Sequence, residues 1–284
     1  MLRLFTLLVS SVSALTLAGA SEPILSSEAN KSSQIVIVSY DGAGDNALWQ
    51  RSRKTAKEVG ASYTYFLSCT LILDRASAGK AYQAPGKSAG RSNIGFGQSQ
   101  SEVKTRLTNI IEARREGHEI ASHTCGHFDG GKWSAREWQQ EFTSFKTHLS
   151  KAWDYIGAQE EKPFDWEAMF QSIKGFRAPY LSQSAALDEV IQNNGFTYDA
   201  TTVSKGPEWP QSVKGILKFS LPLIPEGPKQ KPIIAMDYNL FVRHSMAVET
   251  KERTEEFATR SYDAFKAAFD KQYQGERIPL QLGF

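Results

Sequence analysis

The chain of 284 residues has little that would mark it as a nucleic-acid-binding, membrane-spanning or repeat protein. Its formal net charge is only +2, whereas nucleic-acid binding normally needs a surplus of basic residues, so we predict no nucleic-acid partner. No internal repeat or domain linker is visible, and after residue 20 no apolar run approaches the length of a membrane span. With 40% hydrophobic and 23% charged residues, the composition is that of a globular protein with a sizeable core.

The beginning of the chain differs from the rest. A short positively charged start up to Arg3 precedes an apolar, uncharged run over residues 4–17, and small residues follow at 18–20. This pattern predicts a secretory signal peptide over residues 1–20, with an uncleaved membrane anchor as the alternative. Residues 21–33 are rich in serine and predict a flexible lead-in. We therefore expect an exported protein (periplasmic, secreted or at the cell surface) without stable membrane insertion after signal cleavage.

Cysteine is scarce, with Cys69 and Cys125 the two examples. In an oxidising compartment an isolated pair can form a disulfide, and each cysteine lies near the end of a predicted strand. Two alternatives stay open: both thiols are free, or Cys125, which lies between two histidines, ligates a metal. The distance between the two residues, on which a disulfide depends, does not follow from the sequence.

Strand and helix patterns alternate along residues 34–284. Strands are predicted over residues 34–40, 62–73, 119–122, 175–181, 196–203, 217–223, 233–241 and 278–282, and the last helix over 251–274. Two helices begin at Ser99-x-x-Glu102 and Ser134-x-x-Glu137, both of which resemble capping boxes. The alternation predicts an α/β fold with a parallel sheet and helical crossovers, either open or closed into a barrel. In both forms ligands bind at the carboxyl ends of the strands.

Histidine is also rare, with five in the chain, yet two of them form His123-x-x-x-His127 directly after a predicted strand. At the end of one strand both imidazoles can converge on one point. Such a pair can bind a divalent metal, and Zn²⁺ is the usual occupant of a mixed histidine and carboxylate site. The alternative is a pair of loop histidines that hold no metal.

Charged residues occupy the ends of two other predicted strands. Asp41 closes the first apolar strand, where an unpaired buried carboxylate would be costly. Arg177 lies at the end of another strand, and Pro179 fixes the turn after it. In one cleft Arg177 would orient Asp41 and hold it ionised. The alternatives are helix capping for Asp41 and Asp45, and a surface role for Arg177.

Three motifs carry a resemblance to a known family. They are Ser39-Tyr-Asp41-Gly, Ser122-His-Thr-Cys-Gly-His127 and Arg177-Ala-Pro-Tyr180. In this order they resemble the Thr-Phe-Asp-Asp-Gly, His-Ser/Thr-x-x-His and Arg-x-Pro-aromatic motifs of the NodB-type polysaccharide deacetylases (carbohydrate esterase family 4). The resemblance covers roughly residues 34–284. It implies a distorted (β/α) barrel and removal of acetyl groups from N- or O-acetylated polysaccharide.

The resemblance also implies roles for individual residues. Asp41 would be the general base that activates a metal-bound water, and Arg177 would orient that carboxylate. His123 and His127 would be metal ligands, with zinc expected and cobalt or nickel as other occupants. The Pro179–Tyr180 turn would line the acetyl pocket, with the backbone N–H of its tyrosine as a candidate oxyanion donor.

Two departures from the family pattern bear on the expected activity. The family's second aspartate, a metal ligand, aligns with Gly42, so Asp45 is predicted either to supply the missing carboxylate or to cap the helix that follows. The family's last motif is Leu-x-His on a final strand. Residues 279–284 resemble this strand but contain no histidine, so we expect an incomplete barrel and a histidine beyond Phe284. For the fourth motif, Asp199 and Asp237 are equal candidates.

These departures keep alternative functions open. A carbohydrate-binding pseudoenzyme of the same fold is the main alternative to a metal-dependent deacetylase, and a metal-dependent amidase with a small substrate is a third. Of the remaining histidines, His118 and His244 are expected to be solvated or core residues rather than ligands.

Overall fold

The computed structural model describes residues 33–284, so the predicted signal peptide and nearly all of the predicted lead-in lie outside the described residues. The strands are β1 (Val36–Gly42), β2 (Thr64–Leu67), β3 (Glu119–Ser122), β4 (Gly175–Phe176), β5 (Tyr198–Asp199), β6 (Val203–Ser204), β7 (Gln211–Val213), β8 (Ile216–Lys218), β9 (Leu221–Glu226), β10 (Lys231–Ile234) and β11 (Leu280–Gly283). The helices are α1 (Asn46–Val59), α2 (Gln100–Arg115), α3 (Ala135–Ser150), α4 (Ala152–Tyr155), α5 (Trp166–Gln171), α6 (Leu187–Asn193), α7 (Asp237–Ser245) and α8 (Thr254–Gln274).

Eight strands form one sheet in the order β11-β1-β2-β3-β4-β5-β8-β7. Its neighbours are parallel except for β7 and β8, which are antiparallel. The sheet curls into a half-barrel, and within residues 33–284 its edges are β11 and β7. Strands β10, β9 and β6 form a small second sheet. The prediction of a parallel sheet with helical crossovers is therefore confirmed.

The register of the large sheet brings the carboxyl ends of its first four strands to one edge. Gly42 of β1 pairs with Leu67 of β2, Leu67 pairs with Ser122 of β3, and Ser122 pairs with Phe176 of β4. The residues that follow these pairs therefore lie side by side, because parallel strands in register end together. This edge carries the charged and histidine residues singled out in the sequence.

The main core lies between this sheet and the helices α1 to α3. It is built from large apolar side chains that are almost fully buried, among them Trp49, Leu67, Ile110, Phe142 and Phe176. A second, smaller core joins β9, β10 and β11 to α7 and α8. Burial of apolar side chains of this size is the dominant favourable contribution to folding.

Local capping signals set several helix boundaries. The side chain of Ser134 accepts a hydrogen bond from Glu137 N–H and the side chain of Glu137 accepts one from Ser134 N–H, so the predicted capping box of α3 is confirmed. At α2 only half of the predicted box is present: the side chain of Ser99 accepts from Glu102 N–H, whereas Oε2 of Glu102 accepts from the N–H of Gln98. Helix α1 ends at Gly60, whose φ of 65° is a left-handed conformation that glycine adopts readily. Within residues 33–284, no helix combines the length and the apolar character of a membrane span.

Several predicted strands are only partly correct. Those over 196–203 and 217–223 are each divided between two short strands, and two others end early. The strand predicted over 62–73 ends at Leu67, and a 3₁₀ turn over Cys69–Ile72 follows. The strand predicted over 233–241 ends at Ile234, and its second half is the start of α7. A short apolar run fits both the strand and the helix period, and here Leu240 and His244, four residues apart, share the buried face of a helix.

Candidate active site

The charged side chains at the ends of β1 and β4 meet in an ion pair. Arg177, directly after β4, donates from Nη1 to Oδ1 of Asp41 over 2.7 Å. The same nitrogen donates to Oγ of Ser39 over 2.8 Å, and Nε donates to the carbonyl oxygen of Ala200 over 3.0 Å. The guanidinium also lies over the ring of Phe66, 4.3 Å from its centroid. With its side chain 1% exposed, Arg177 is not the surface arginine of the alternative interpretation.

The two predicted ligand histidines lie beside this pair. Their ring centroids are 5.0 Å apart; His123 is buried and His127 is half-buried. Nδ1 of His123 lies 2.8 Å from the carbonyl oxygen of Arg177. Because a carbonyl oxygen only accepts, Nδ1 carries the proton and Nε2 of His123 keeps its lone pair. This arrangement, with one ring nitrogen tied to a carbonyl, is typical of metal-ligating histidines.

Both imidazoles are held in the neutral form. Burial lowers the pKa of His123, and burial together with the neighbouring His123 lowers the pKa of His127 to about 4. The charge of Asp41 opposes these shifts without cancelling them. Neutral imidazole is the form that binds metal ions, so the pair is ready to ligate at neutral pH without first losing protons.

The segment from His123 to His127, called the histidine loop below, has an unusual backbone. Thr124 and His127 have positive φ angles of 61° and 55°, which are uncommon for residues with a Cβ atom. A disulfide between Cys69 and Cys125 ties the loop to the turn after β2, so the predicted disulfide is confirmed over its alternatives. A covalent bond to a residue outside the loop therefore restrains its conformation.

A buried carboxyl group that sequence reasoning missed also supports the histidine loop. Glu141 of α3 accepts hydrogen bonds from the backbone N–H of Cys125 over 2.9 Å and of Gly126 over 3.2 Å, and from the hydroxyl of Tyr82 over 2.9 Å. Burial raises the pKa of Glu141. A signal was present in the sequence, because Glu141 sits on the same helical face as the apolar Trp138, where an acidic residue needs partners.

The Pro179–Tyr180 turn lies at the mouth of the site. Pro179 is buried, while Tyr180 is 59% exposed and has a φ of 58°. The ring of Tyr180 lies 4.9 Å from that of His127, and its hydroxyl accepts a hydrogen bond from Nδ2 of Asn93 over 3.3 Å. The structure therefore brings the predicted pocket-lining turn next to the histidine pair.

Comparison with known proteins supports the architecture. No protein-family model matches the sequence, and no curated protein matches it either. A solved structure from Mycobacterium smegmatis, assigned as a polysaccharide deacetylase, superimposes with a TM-score of 0.50 at 13% identity, covering 88% of this chain and 76% of that one. The chain has the polysaccharide-deacetylase fold.

Two further deacetylase-fold structures are more distant. A Streptococcus pyogenes deacetylase in complex with acetate gives a TM-score of 0.38 at 11% identity, covering 65% of this chain and 62% of that one. The chitin deacetylase of Colletotrichum lindemuthianum gives a TM-score of 0.38 at 18% identity, covering 58% and 54% respectively. The present chain thus spans less than two thirds of each of these two proteins.

The environments of Asp199 and Asp237, the two candidates for the fourth deacetylase motif, differ in the structure. Asp199 is buried and engaged, with Lys218 at 2.8 Å and the backbone N–H of Thr201 at 2.9 Å. Asp237, the first residue of α7, interacts electrostatically with Asp41. Partial removal from water and, to a lesser degree, the charge of Asp41 raise the pKa of Asp237 to about 6. Of the two aspartates, Asp237 is therefore the one whose pKa responds to the charge of Asp41.

The other histidines are engaged elsewhere, as expected. His118 is buried, and its Nδ1 accepts a hydrogen bond from the backbone N–H of Tyr63 over 3.0 Å. His244 is buried, and its Nε2 lies 3.0 Å from Oε1 of Glu226. Neither lies in the histidine loop, and neither does His148 of α3, whose Nδ1 lies 3.0 Å from the hydroxyl oxygen of Tyr155.

The donor set only partly matches the metal site implied by the deacetylase pattern. The two imidazoles fit a divalent metal, but Gly42 has no side chain to offer. Oδ1 of Asp45 accepts hydrogen bonds from the backbone N–H of Ala47 over 2.7 Å and of Leu48 over 3.2 Å. Asp45 thus takes its alternative predicted role as the N-cap of α1, and the structure gives its ligand role no support. Within residues 33–284, no three histidine, cysteine, aspartate or glutamate side chains form a group that could hold a metal.

Proposed function

We propose that the chain is an exported hydrolase that removes acetyl groups from N- or O-acetylated polysaccharide. The observation that carries the proposal is the buried ion pair between Arg177 and Asp41, 2.7 Å long, beside two neutral imidazoles. A buried arginine committed to one carboxylate costs folding free energy unless its surroundings satisfy it, so its presence at a strand-end crevice favours a catalytic use.

In this proposal Asp41 is the general base. Arg177 binds Oδ1 of Asp41 and leaves Oδ2 for a water molecule, and the side chain is 18% exposed and so within reach of solvent. As the water oxygen bonds to the acetyl carbon, Asp41 takes the water proton. The carbon–nitrogen or carbon–oxygen bond to the sugar then breaks, and the departing amine or alcohol takes up a proton. The products are acetate and the deacetylated sugar.

The remaining residues of the site bind and polarise the acetyl group. A divalent metal held by His123 and His127, which we propose to be zinc, would polarise the acetyl carbonyl and stabilise the charge that develops on its oxygen. The Pro179–Tyr180 turn would hold the acetyl methyl, and the backbone N–H of the tyrosine would donate to the carbonyl oxygen. The exposed tyrosine ring offers an apolar face on which a sugar can stack.

Acetate release from a panel of acetylated polymers tests the proposal. Chitin oligomers, peptidoglycan, acetylated xylan and acetylated exopolysaccharide would each be incubated with the chain purified without its predicted signal peptide. We expect acetate from at least one polymer, its loss on adding a chelator, and at least a ~100-fold lower rate for Asp41→Asn, the scale of a lost general base. Asp270→Asn is the matched control and should keep the full rate, because the Asp270 side chain on α8 is 41% exposed and pairs only with Lys266. A full rate in Asp41→Asn would contradict the proposal.

A second candidate is a carbohydrate-binding protein without turnover. It is favoured by one observation: neither Gly42 nor Asp45 supplies the carboxylate that would be the third metal ligand. Calorimetric titration of the same oligomers separates the two candidates. Binding that persists in Asp41→Asn, with no acetate released by either protein, would favour the binding protein.

A further inference from the structure

An isoleucine from a separate loop fills the space beside Gly42. Ile94 lies in the segment between the Cys69–Ile72 turn and α2. A Cβ atom placed on Gly42 would lie 2.6 Å from Cδ1 of Ile94, closer than two carbon atoms of neighbouring side chains can approach. Gly42 also has a φ of 78°, a conformation that glycine adopts much more readily than other residues. A side chain at position 42 would therefore enter a volume that Ile94 already occupies.

The backbone around Ile94 is fixed to the active site. The N–H of Asn93 donates to the carbonyl oxygen of Gly126 in the histidine loop over 2.8 Å. The N–H of Ile94 donates to Oγ of Ser92 over 3.2 Å, and the hydroxyls of Ser92 and Thr70 are 3.1 Å apart. Ile94 is also half-buried. Its backbone is therefore tied to the histidine loop, and its side chain lines the same cavity as Asp41 and Gly42.

We propose that Ile94 limits the metal site to two protein ligands by occupying the place of a third. In the deacetylase pattern the residue aligned with Gly42 is a ligating aspartate, whereas an isoleucine side chain has no lone pair for a metal ion. The site therefore offers the imidazoles of His123 and His127 and an apolar group where the carboxylate would stand. This inference concerns metal binding and rests on the two histidines as ligands, so it can be tested without acetate release.

The chemistry of the side chains supplies a direct test. The carboxylate oxygens of an aspartate at position 94 are as many bonds from the backbone as Cδ1 of isoleucine. Ile94→Asp would therefore place a carboxylate where the isoleucine methyl now lies, and it leaves the glycine backbone of β1 unchanged. Ile94→Asn has the same shape without the charge and is the matched control.

Zn²⁺ would be titrated calorimetrically at pH 7, without substrate, into the wild-type chain, Ile94→Asp and Ile94→Asn, with His127→Ala as the baseline. We expect Ile94→Asp to bind zinc at least ~10-fold more tightly than the wild type, which corresponds to about 1.4 kcal/mol. Ile94→Asn should stay within about threefold of the wild type. Equal affinity of Ile94→Asp and Ile94→Asn, or no zinc binding by either the wild type or Ile94→Asp, would overturn the proposal.

A second set of variants tests the blockage itself. Gly42→Asp alone should bind zinc no more tightly than the wild type, because Ile94 occupies the space the aspartate needs. Gly42→Asp combined with Ile94→Ala should bind more tightly, and Gly42→Asn with Ile94→Ala should not. If Gly42→Asp alone gained as much affinity as the double variant, Ile94 would not be the obstacle. Thermal unfolding checks that each variant is folded, and if position 42 tolerates no side chain, the Ile94 pair decides alone.

Discussion

Replacing Arg177 by methionine should strongly destabilise the protein, because it leaves Asp41 without its partner in a largely buried place. The guanidinium is 1% exposed and the side chain of Asp41 18%. Arg177 donates to Asp41 over 2.7 Å, to Ser39 over 2.8 Å and to the carbonyl oxygen of Ala200 over 3.0 Å. Methionine fills much of the same volume and donates none of these hydrogen bonds.

The size of the effect follows from these contacts. Removing one partner of a buried ion pair costs about 3–5 kcal/mol. Solvent reaches part of Asp41, which places the loss of this pair in the lower half of that range, while the unpaired carbonyl of Ala200 adds to it. We therefore expect the free energy of unfolding to fall by about 4 kcal/mol, and Tm by roughly 8–16 °C for a domain of this size. Urea unfolding followed by tryptophan fluorescence measures the change.

A double-mutant cycle identifies the cause. Asp41→Asn removes the unpaired charge, so Arg177→Met with Asp41→Asn should be more stable than Arg177→Met alone by about 1–3 kcal/mol. Arg177→Lys keeps the charge but not the planar fork, and should fall between the wild type and Arg177→Met. A loss below ~1 kcal/mol in Arg177→Met, or the same effect of Asp41→Asn in both backgrounds, would refute the reasoning.

Three further predictions concern the disulfide, acid stability and the Asp237 carboxyl group. Reducing the Cys69–Cys125 disulfide, which spans a sequence separation of 56, should lower the free energy of unfolding by about 4 kcal/mol, measured by urea unfolding with and without reductant. Burial lowers the pKa of His148 to about 4. The unfolded chain therefore protonates this imidazole at a higher pH than the folded chain, and the free energy of unfolding should fall as pH drops from ~6.5 to 4. His148→Gln should remove about 3 kcal/mol of that decline, and an unchanged pH profile would contradict the assignment. Because the charge of Asp41 raises the pKa of Asp237, Asp41→Asn should lower that pKa, as followed by NMR titration of the Asp237 carboxyl carbon; no change would show that burial alone sets it.

Several local features could be predicted from the sequence because their causes lie within a few residues. Ser99 and Ser134 are both N-caps in the structure, and the glutamate three residues later completes the capping box at Ser134. The strand ends at Asp41 and before His123 and Arg177 follow from apolar runs that stop at polar residues. Once the strands were taken as parallel, these residues had to lie at one edge, and the structure places them there. The catalytic and ligand roles assigned to them remain proposals.

The contacts that shape the site join residues far apart in the chain, and no local pattern specifies them. Arg177 and Asp41 are separated by 136 positions, and Glu141 reaches the histidine loop from a neighbouring helix. Sequence reasoning could not choose between Asp199 and Asp237, because only the packing shows that Asp199 is already paired with a lysine.

The sequence by itself determined the alternation of strands and helices and the residue types at the strand ends, because hydrophobic periodicity and capping act over short distances. The tertiary structure alone decided which side chains lie together at the candidate metal site. It turned Asp45 to the helix N-terminus and placed Ile94 against Gly42. The physical reason is that a side chain's direction and the volume left around it depend on every element packed nearby, and those elements come from distant parts of the chain.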